Sequence, residues 1–336
     1  MLGSLDPNGR QLDSLRGGIS SLLKICVVSP SNQPGINVEF MFVQVGVKSA
    51  DVDYLGNCGN LSSVIGPFAV DSGVFRPVEK DGGGQNVTVR VFNTNMGKVI
   101  ESTFPVCGDE AVVSGDFVID GVAGCVAQVK LDFVDPAGAK TGKMLPTGSV
   151  MDCIDGIQAT CVDVGNPSVF VVVEELRVNE VMLPDEMQKM SGLLKRLEWI
   201  RQKAVMKMGM ADTLEKVPAL IPKICFVSWP CSHTLLSGEE LDGSSVDVVV
   251  RAISVGQPHQ VLLIMTSLSL AVAAKIPGSV VNQYVRHGAG EKEDLVIGHL
   301  SGKILVGAKV SAGGEVKRAT VYRTARRLMD GVVYWK

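Results

Sequence analysis

The residue types best suited to chemistry lie in Gly56-Asn57-Cys58-Gly59-Asn60-Leu61-Ser62-Ser63. A thiol stands between glycines, just ahead of a stretch that can run as a short helix. Backbone N–H groups at a helix start can hold a carboxylate. The same positive end lowers a thiol's pKa. One loop therefore offers an anion cradle and an acid/base group. Asn57, Asn60 and Ser62 could hold carboxylates through side chains and N–H groups, or the asparagines could serve only the turn. A tight turn around a buried cysteine is the competing reading of Cys58.

The rest of the composition narrows the class. The 336 residues are too many for one simple core, so one large or two medium domains are expected. Hydrophobic residues at 46% and charged residues at 20% fit a globular protein. The net charge of −3 argues against a non-specific nucleic-acid binder. The eight cysteines form no C-x-x-C pair and meet no histidines at zinc-finger spacing, so no metal is expected. No charged-then-apolar leader opens the chain, and free thiols in a reducing cytosol are the expectation. The apolar run Val261 to Ala274 is too short to span a bilayer and reads as a buried helix. No G-x-G-x-x-G after a strand, phosphate-binding loop or Gly-x-Ser-x-Gly elbow is present.

These groups must be positioned by a largely β framework. Strand-like runs recur at Ile25–Ser29, Val38–Val45, Val87–Phe92, Val99–Val106, Val129–Val134 and Val169–Val173. Glycine-rich turns separate them, and alternation is clear in 86–92. Helices are expected over Leu61–Val70, Pro184–Met208, Thr266–Lys275 and Val321–Met329. The third is apolar on nearly all sides and should be enclosed. It echoes the first, since each follows strands and a glycine-containing turn. This order predicts an α+β fold of two similar lobes, each of mixed β-structure wrapped around a central helix. Residues 1–155 would form one lobe, with a final helix in 321–336 packed back on it, and 156–320 the other.

Read in order, the segments resemble the 2-methylaconitate cis–trans isomerase (PrpF) family, which has the diaminopimelate-epimerase-like fold. The likeness is carried by Gly17-Gly18-Ile19-Ser20-Ser21 with Lys24, Gly56-Asn57-Cys58-Gly59-Asn60, Gly66-Pro67-Phe68-Ala69 and Arg90-Val91-Phe92-Asn93-Thr94-Asn95. It continues through Asp135-Pro136-Ala137-Gly138, Leu145-Pro146-Thr147-Gly148, Gly165-Asn166-Pro167, Ile253-Ser254-Val255-Gly256-Gln257-Pro258-His259 and Thr324-Ala325-Arg326-Arg327-Leu328-Met329. Family members begin further upstream, so the resemblance also implies a shortened N-terminal lobe.

The resemblance implies a cofactor-free isomerase with its site between the lobes and Lys24 and Cys58 as the acid/base pair. Substrate-binding positions carried over are Ser20, Ser21, Asn57, Gly59, Asn60 and Ser62, with Asn166, Gln257, His259, Thr266 and Ser267 from the second half. His259 can equally be an ordinary hydrogen-bonded histidine, and Lys24 read without the family is a strand-end surface lysine. Epimerases of the fold carry a second cysteine where this chain has Met265-Thr266-Ser267, which disfavours a two-thiol racemase. Arg251 and Arg286 are candidate carboxylate clamps, because guanidinium pairs bidentately with carboxylate. The expected reaction shifts or flips the double bond of aconitate or 2-methylaconitate. The alternatives are 4-oxalomesaconate tautomerisation, 3-methylitaconate isomerisation, or a non-catalytic binding role. The expected partner is a small polycarboxylate, with no nucleic acid or membrane, and a homodimer is compatible with the sequence.

Overall fold

The computed structural model describes residues 23–46, 52–54, 57–77, 85–254, 256–332 and 334. Ser20 and Ser21 lie outside them. The chain forms two compact units: Met1–Phe117 with Val126–Leu131 and Arg323–Lys336, and Val118–Cys125 with Asp132–Tyr322. The fold is α+β, mostly sheet with few helices.

In the first unit, Lys24–Pro30 pairs antiparallel with Val38–Val45, which pairs parallel with Gln85–Asn93. Gln85–Asn93 then turns back antiparallel on Lys98–Cys107. The expected strands are present: Val38–Val45 keeps its expected bounds, Lys24–Pro30, Gln85–Asn93, Lys98–Cys107 and Gln128–Val134 gain one or two residues, and Asn166–Val172 starts three residues before the expected Val169 and ends one short. Alternate residues of these strands, among them Phe40, Val89, Val91, Ile100 and Phe104, are buried, as the period of two requires. Between the last two strands, Asn93 Oδ1 accepts from Met96 N at 3.0 Å, and Gly97 adopts φ 62°. Asn95 works as a surrogate strand. Its Oδ1 accepts from Phe42 N at 2.7 Å, and its Nδ2 donates to Phe42 O and Tyr54 O, both at 2.9 Å. That ties down the chain three residues before Asn57.

The helix Gly59–Asp71 packs its buried residues, including Ile65, Gly66 and Ala69, against this sheet. Gly66 sets the distance: a Cβ there would lie 2.5 Å from Ser102 Oγ and 2.7 Å from a Phe104 ring carbon. Pro67 sits inside the helix and donates no bond to the preceding turn.

In the second unit, Ile157–Val164 and Asn166–Val172 form a tight antiparallel hairpin about Gly165, whose φ is 75°. The sheet continues through Lys223–Ser228 and Val248–Ser254 to Asp294–His299, Gly302–Val310 and Val316–Thr324. Long valine-rich runs fit strands buried on both faces. The helix Ile264–Ala273 is buried at every residue. It packs on Ile157–Val164, Asn166–Val172 and Gly302–Val310, so each unit has its own central helix against its own strands.

Three expectations differ from the structure. The long helix over Pro184–Met208 is two helices, Pro184–Lys189 and Ser191–Lys207. The break falls at Met190 (φ −91°, ψ 69°), beside Ser191-Gly192, where the helical preference is weakest. Leu193, Leu197, Ile200 and Ala204 of the longer helix fill the core below. The final helix over Val321–Met329 is not formed. Val321 instead opposes Val306 in the ladder of Val316–Thr324 with Gly302–Val310. A β-branched, aromatic Val-Tyr pair gains more from that ladder than from a helix turn.

The units also divide near Leu131/Asp132 rather than at residue 155. The reason is Asp163, whose Oδ2 accepts from Lys140 N (2.9 Å), Thr141 N (2.7 Å) and Thr141 Oγ1 (2.8 Å). This buried carboxylate holds Lys140 and Thr141, and the Asp163 backbone carbonyl accepts from Gly138 N at 2.9 Å, so the stretch after Asp135 belongs with the second unit.

Candidate active site

Cys58 is the N-cap of the Gly59–Asp71 helix, with extended backbone (φ −106°, ψ 105°). Its carbonyl accepts the first helical bond, from Ser62 N at 3.0 Å. Ser62 Oγ also reaches the Cys58 carbonyl at 3.2 Å, and Asn57 Nδ2 donates to Ser62 Oγ at 3.3 Å. Ser62 is buried, and it fixes the loop rather than facing outward. Ser63 Oγ donates to Asn60 O at 2.7 Å. The loop is thus held by side-chain hydroxyls, while the thiol itself makes no capping bond.

Lys24 reaches the same point from the first strand. Leu23, fully buried, anchors that strand start, and Gln44 Nε2 donates to Leu23 O at 3.0 Å. Lys24 Nζ then lies 3.7 Å from Cys58 Sγ, as a donor to sulfur. Both residues are half-buried. A lysine nitrogen and a cysteine sulfur at this distance can pass a proton from whichever holds it to the one that does not, and both are partly removed from water.

Cys26 lies on the same strand face, two residues along. Burial and then the neighbouring Cys58 push its thiol up to about 12. Cys26 therefore stays protonated at neutral pH.

A side chain not singled out from the sequence also meets this helix start. Arg323, near the end of Val316–Thr324, donates from Nη2 to Asn60 Oδ1 at 3.0 Å. Burial pushes its guanidinium below the usual range, and the charge of Cys58 partly opposes that. The next residue, Thr324, accepts from Ser63 Oγ at 3.3 Å. The only sequence signal for Arg323 was its place directly before the Thr324–Met329 segment.

Of the second-half residues, Asn166 is joined to the central helix that carries Thr266 and Ser267, while Gln257 and His259 bond within their own loop. Asn166 opens its strand directly after Gly165, and a Cβ on Gly165 would lie 2.9 Å from Met265 Sδ at the central helix start. Ser269 Oγ donates to Val164 O (3.2 Å) and Asn166 O (3.1 Å), joining the hairpin to that helix. Asn166 Oδ1 is buried and has no partner among the described residues. Thr266 and Ser267 are buried, and Ser267 Oγ is used on Ile264 O at 2.8 Å. Gln257 is exposed, in a short pairing with Ser254. His259 Nδ1 lies 2.6 Å from Val261 O.

Both candidate clamps are used internally. Arg251 is buried with Nε on Met182 O at 3.4 Å and Nη1 on Val250 O at 3.2 Å. Arg286 Nη2 donates to Gly243 O at 2.7 Å and Val246 O at 2.8 Å. Among the described residues, no three His, Cys, Asp or Glu side chains converge as metal ligands. Nor is any helix there long and apolar enough to cross a membrane.

The PrpF protein family model matches residues 1–336, and the chain belongs to this family. It is an isomerase, as its named relatives are. A relative from Eubacterium barkeri named 3-methylitaconate isomerase is 39% identical, covering 98% of this chain and 87% of that one. A relative from Shewanella oneidensis named 2-methyl-aconitate isomerase is 34% identical, with 99% and 86% covered. A 4-oxalomesaconate tautomerase of Pseudomonas putida is 32% identical, covering 97% and 85%. A solved methylitaconate-delta-isomerase structure superposes with TM-score 0.87 at 37% identity, covering 99% of this chain and 86% of that one.

Proposed function

We propose that this isomerase moves a proton, without a cofactor, on a small unsaturated polycarboxylate of the aconitate type. The observation that carries the reading is the 3.7 Å separation of Lys24 Nζ and Cys58 Sγ at a helix N-terminus. An allylic C–H beside a carboxylate is weakly acidic. One member of the pair removes that proton, and the electrons of the broken C–H bond spread over the double bond and the carboxylate as a dienolate. The other member delivers a proton to the far carbon, or to the same carbon after rotation, so the double bond shifts or flips. A positive helix end and nearby cations stabilise the developing negative charge.

Aconitate and 2-methylaconitate are the leading substrates. The 39% identity to a named 3-methylitaconate isomerase supports that acid as the second reading. One methyl group is a small packing difference, worth about 1–3 kcal/mol. Asn57, Gly59 and Asn60 are the proposed carboxylate contacts of the loop. Ser62 would act through its bonds to Asn57 and Cys58, and Asn166, Gln257, His259, Thr266 and Ser267 contribute from the second unit.

Proton NMR in heavy water tests this directly, with cis-aconitate, 2-methylaconitate and 3-methylitaconate supplied separately. Deuterium entering an allylic position together with build-up of an isomer is the expected result, and the fastest acid names the substrate. Folded protein that exchanges none of the three overturns the proposal in favour of a non-catalytic binding role.

A further inference from the structure

We propose that Arg323 is a substrate-binding residue, whose guanidinium receives the carboxylate that lies next to the carbon reacting at Cys58. The inference rests on the isomerase reading above and adds to it the group that fixes the substrate's register on the thiol.

The placement comes from several bonds. Arg323 Nη2 donates to Asn60 Oδ1 at 3.0 Å, and Asn60 follows Cys58 by two residues in the first helical turn. Ser63 Oγ bridges Asn60 O (2.7 Å) and Thr324 O (3.3 Å), which locks the strand end to the helix start. Arg323 is half-buried, and its bond to the exposed Asn60 side chain holds one end of its fork at the helix start. A guanidinium has five N–H donors, and the Asn60 bond uses one. The remaining donors suit a planar carboxylate held by two parallel bonds.

The arginine also answers a need that the Lys24–Cys58 pair leaves open. A lysine 3.7 Å from the thiol is committed to proton exchange. A dienolate carries its charge on the carboxylate, so the transition state gains from a second, permanently charged partner there. Arginine stays charged through the whole working range, whereas lysine titrates. The guanidinium would therefore make a carboxylate beside the reacting carbon a requirement, and an amide in that place a poor substitute.

The experiment reads Arg323 in the full chain both with and without turnover. Wild type, Arg323→Gln and Asn60→Asp are first checked for folding by circular dichroism. Asn60→Asp sets a competing carboxylate against the guanidinium in place of the amide, and it serves should Arg323→Gln fail to fold. Alkylation of Cys58 is then followed by peptide mass spectrometry, using anionic iodoacetate and neutral iodoacetamide. In wild type the iodoacetate-to-iodoacetamide rate ratio at Cys58 should exceed that of free glutathione. Both variants should lower that ratio by roughly tenfold, as loss of a focusing charge does. Isomerisation should fall by about 100-fold in Arg323→Gln, chiefly through KM, with partial recovery on adding guanidinium ion.

An unchanged ratio in the variants overturns the proposal, as does a Cys58 that reacts with iodoacetamide alone or with neither reagent. A lowered ratio in protein with no turnover on any of the three acids keeps Arg323 as the carboxylate site and removes the isomerase chemistry instead.

Discussion

Cys58 differs from the buried thiols of the chain in what surrounds it. Cys161 and Cys225 are fully buried, and burial pushes both thiols up beyond any physiological role. Cys26 follows them to about 12. Cys58 is half-buried at a helix start, with Lys24 Nζ at 3.7 Å. Replacing Cys58 by Ser keeps the hydroxyl-sized volume but removes the acidic proton. Turnover is expected to fall by about 10²–10⁴-fold, the usual worth of a positioned acid or base, with the melting temperature nearly unchanged. Parallel rate and melting measurements check this. A serine variant that retains full turnover would remove the thiol from the chemistry.

At the level of elements, the helix Gly59–Asp71 aims the thiol, and Gly66 decides how closely that helix lies on the strand Lys98–Cys107. A Cβ at 2.5 Å from Ser102 Oγ cannot be accommodated without moving helix or strand. Gly66→Ala should therefore destabilise by about 1–3 kcal/mol, despite alanine's better helix propensity. It should also shift the helix start and depress turnover more than the stability loss alone explains. Urea unfolding beside an activity assay reads both, and a stabilised variant would show that the contact is soft. Glycine in Gly66-Pro67-Phe68-Ala69 was legible as a motif from the sequence. That it marks a close helix–strand approach was not, because Ser102 and Phe104 are more than 30 residues away in the chain.

For the molecule as a whole, buried thiols set an alkaline limit. An unfolded thiol loses its proton near 9.0, while folded Cys26 keeps it to about 12, and Cys161 and Cys225 are also raised. Between those values the unfolded chain binds fewer protons than the folded one, so stability falls as pH rises. The thiols' contribution is full below pH 9 and is lost progressively above it, at up to about 1.4 kcal/mol per pH unit for each thiol still protonated only when folded. Urea midpoints at pH 7.5, 9.5 and 10.5 should decline in that order. Replacing Cys225 by Ala should flatten the decline, and a flat profile in the parent would contradict the burial of these thiols. The units themselves are assembled from separated stretches, since Arg323–Lys336 belongs with residues near the chain's start. The return of the chain's end to the first unit was expected from the sequence, though as a helix rather than as the end of a strand.

Local patterns alone determined much of this protein. Alternating valines specify strands because side chains on a strand point to opposite faces. A ten-residue run interrupted only by Thr266, Ser267 and Ser269 specifies an enclosed helix, and Gly-Asn-Cys-Gly-Asn specifies a thiol at a helix start. The motif order marks the PrpF family. Tertiary structure decided what depends on partners distant in sequence. It turned Val321–Thr324 into a ladder strand, used Arg251 and Arg286 on internal carbonyls, and brought Lys24 to Cys58 and Arg323 to Asn60. These outcomes were settled by hydrogen-bond satisfaction and burial. Both belong to pairs of residues, and a single stretch of chain carries only one member of each pair.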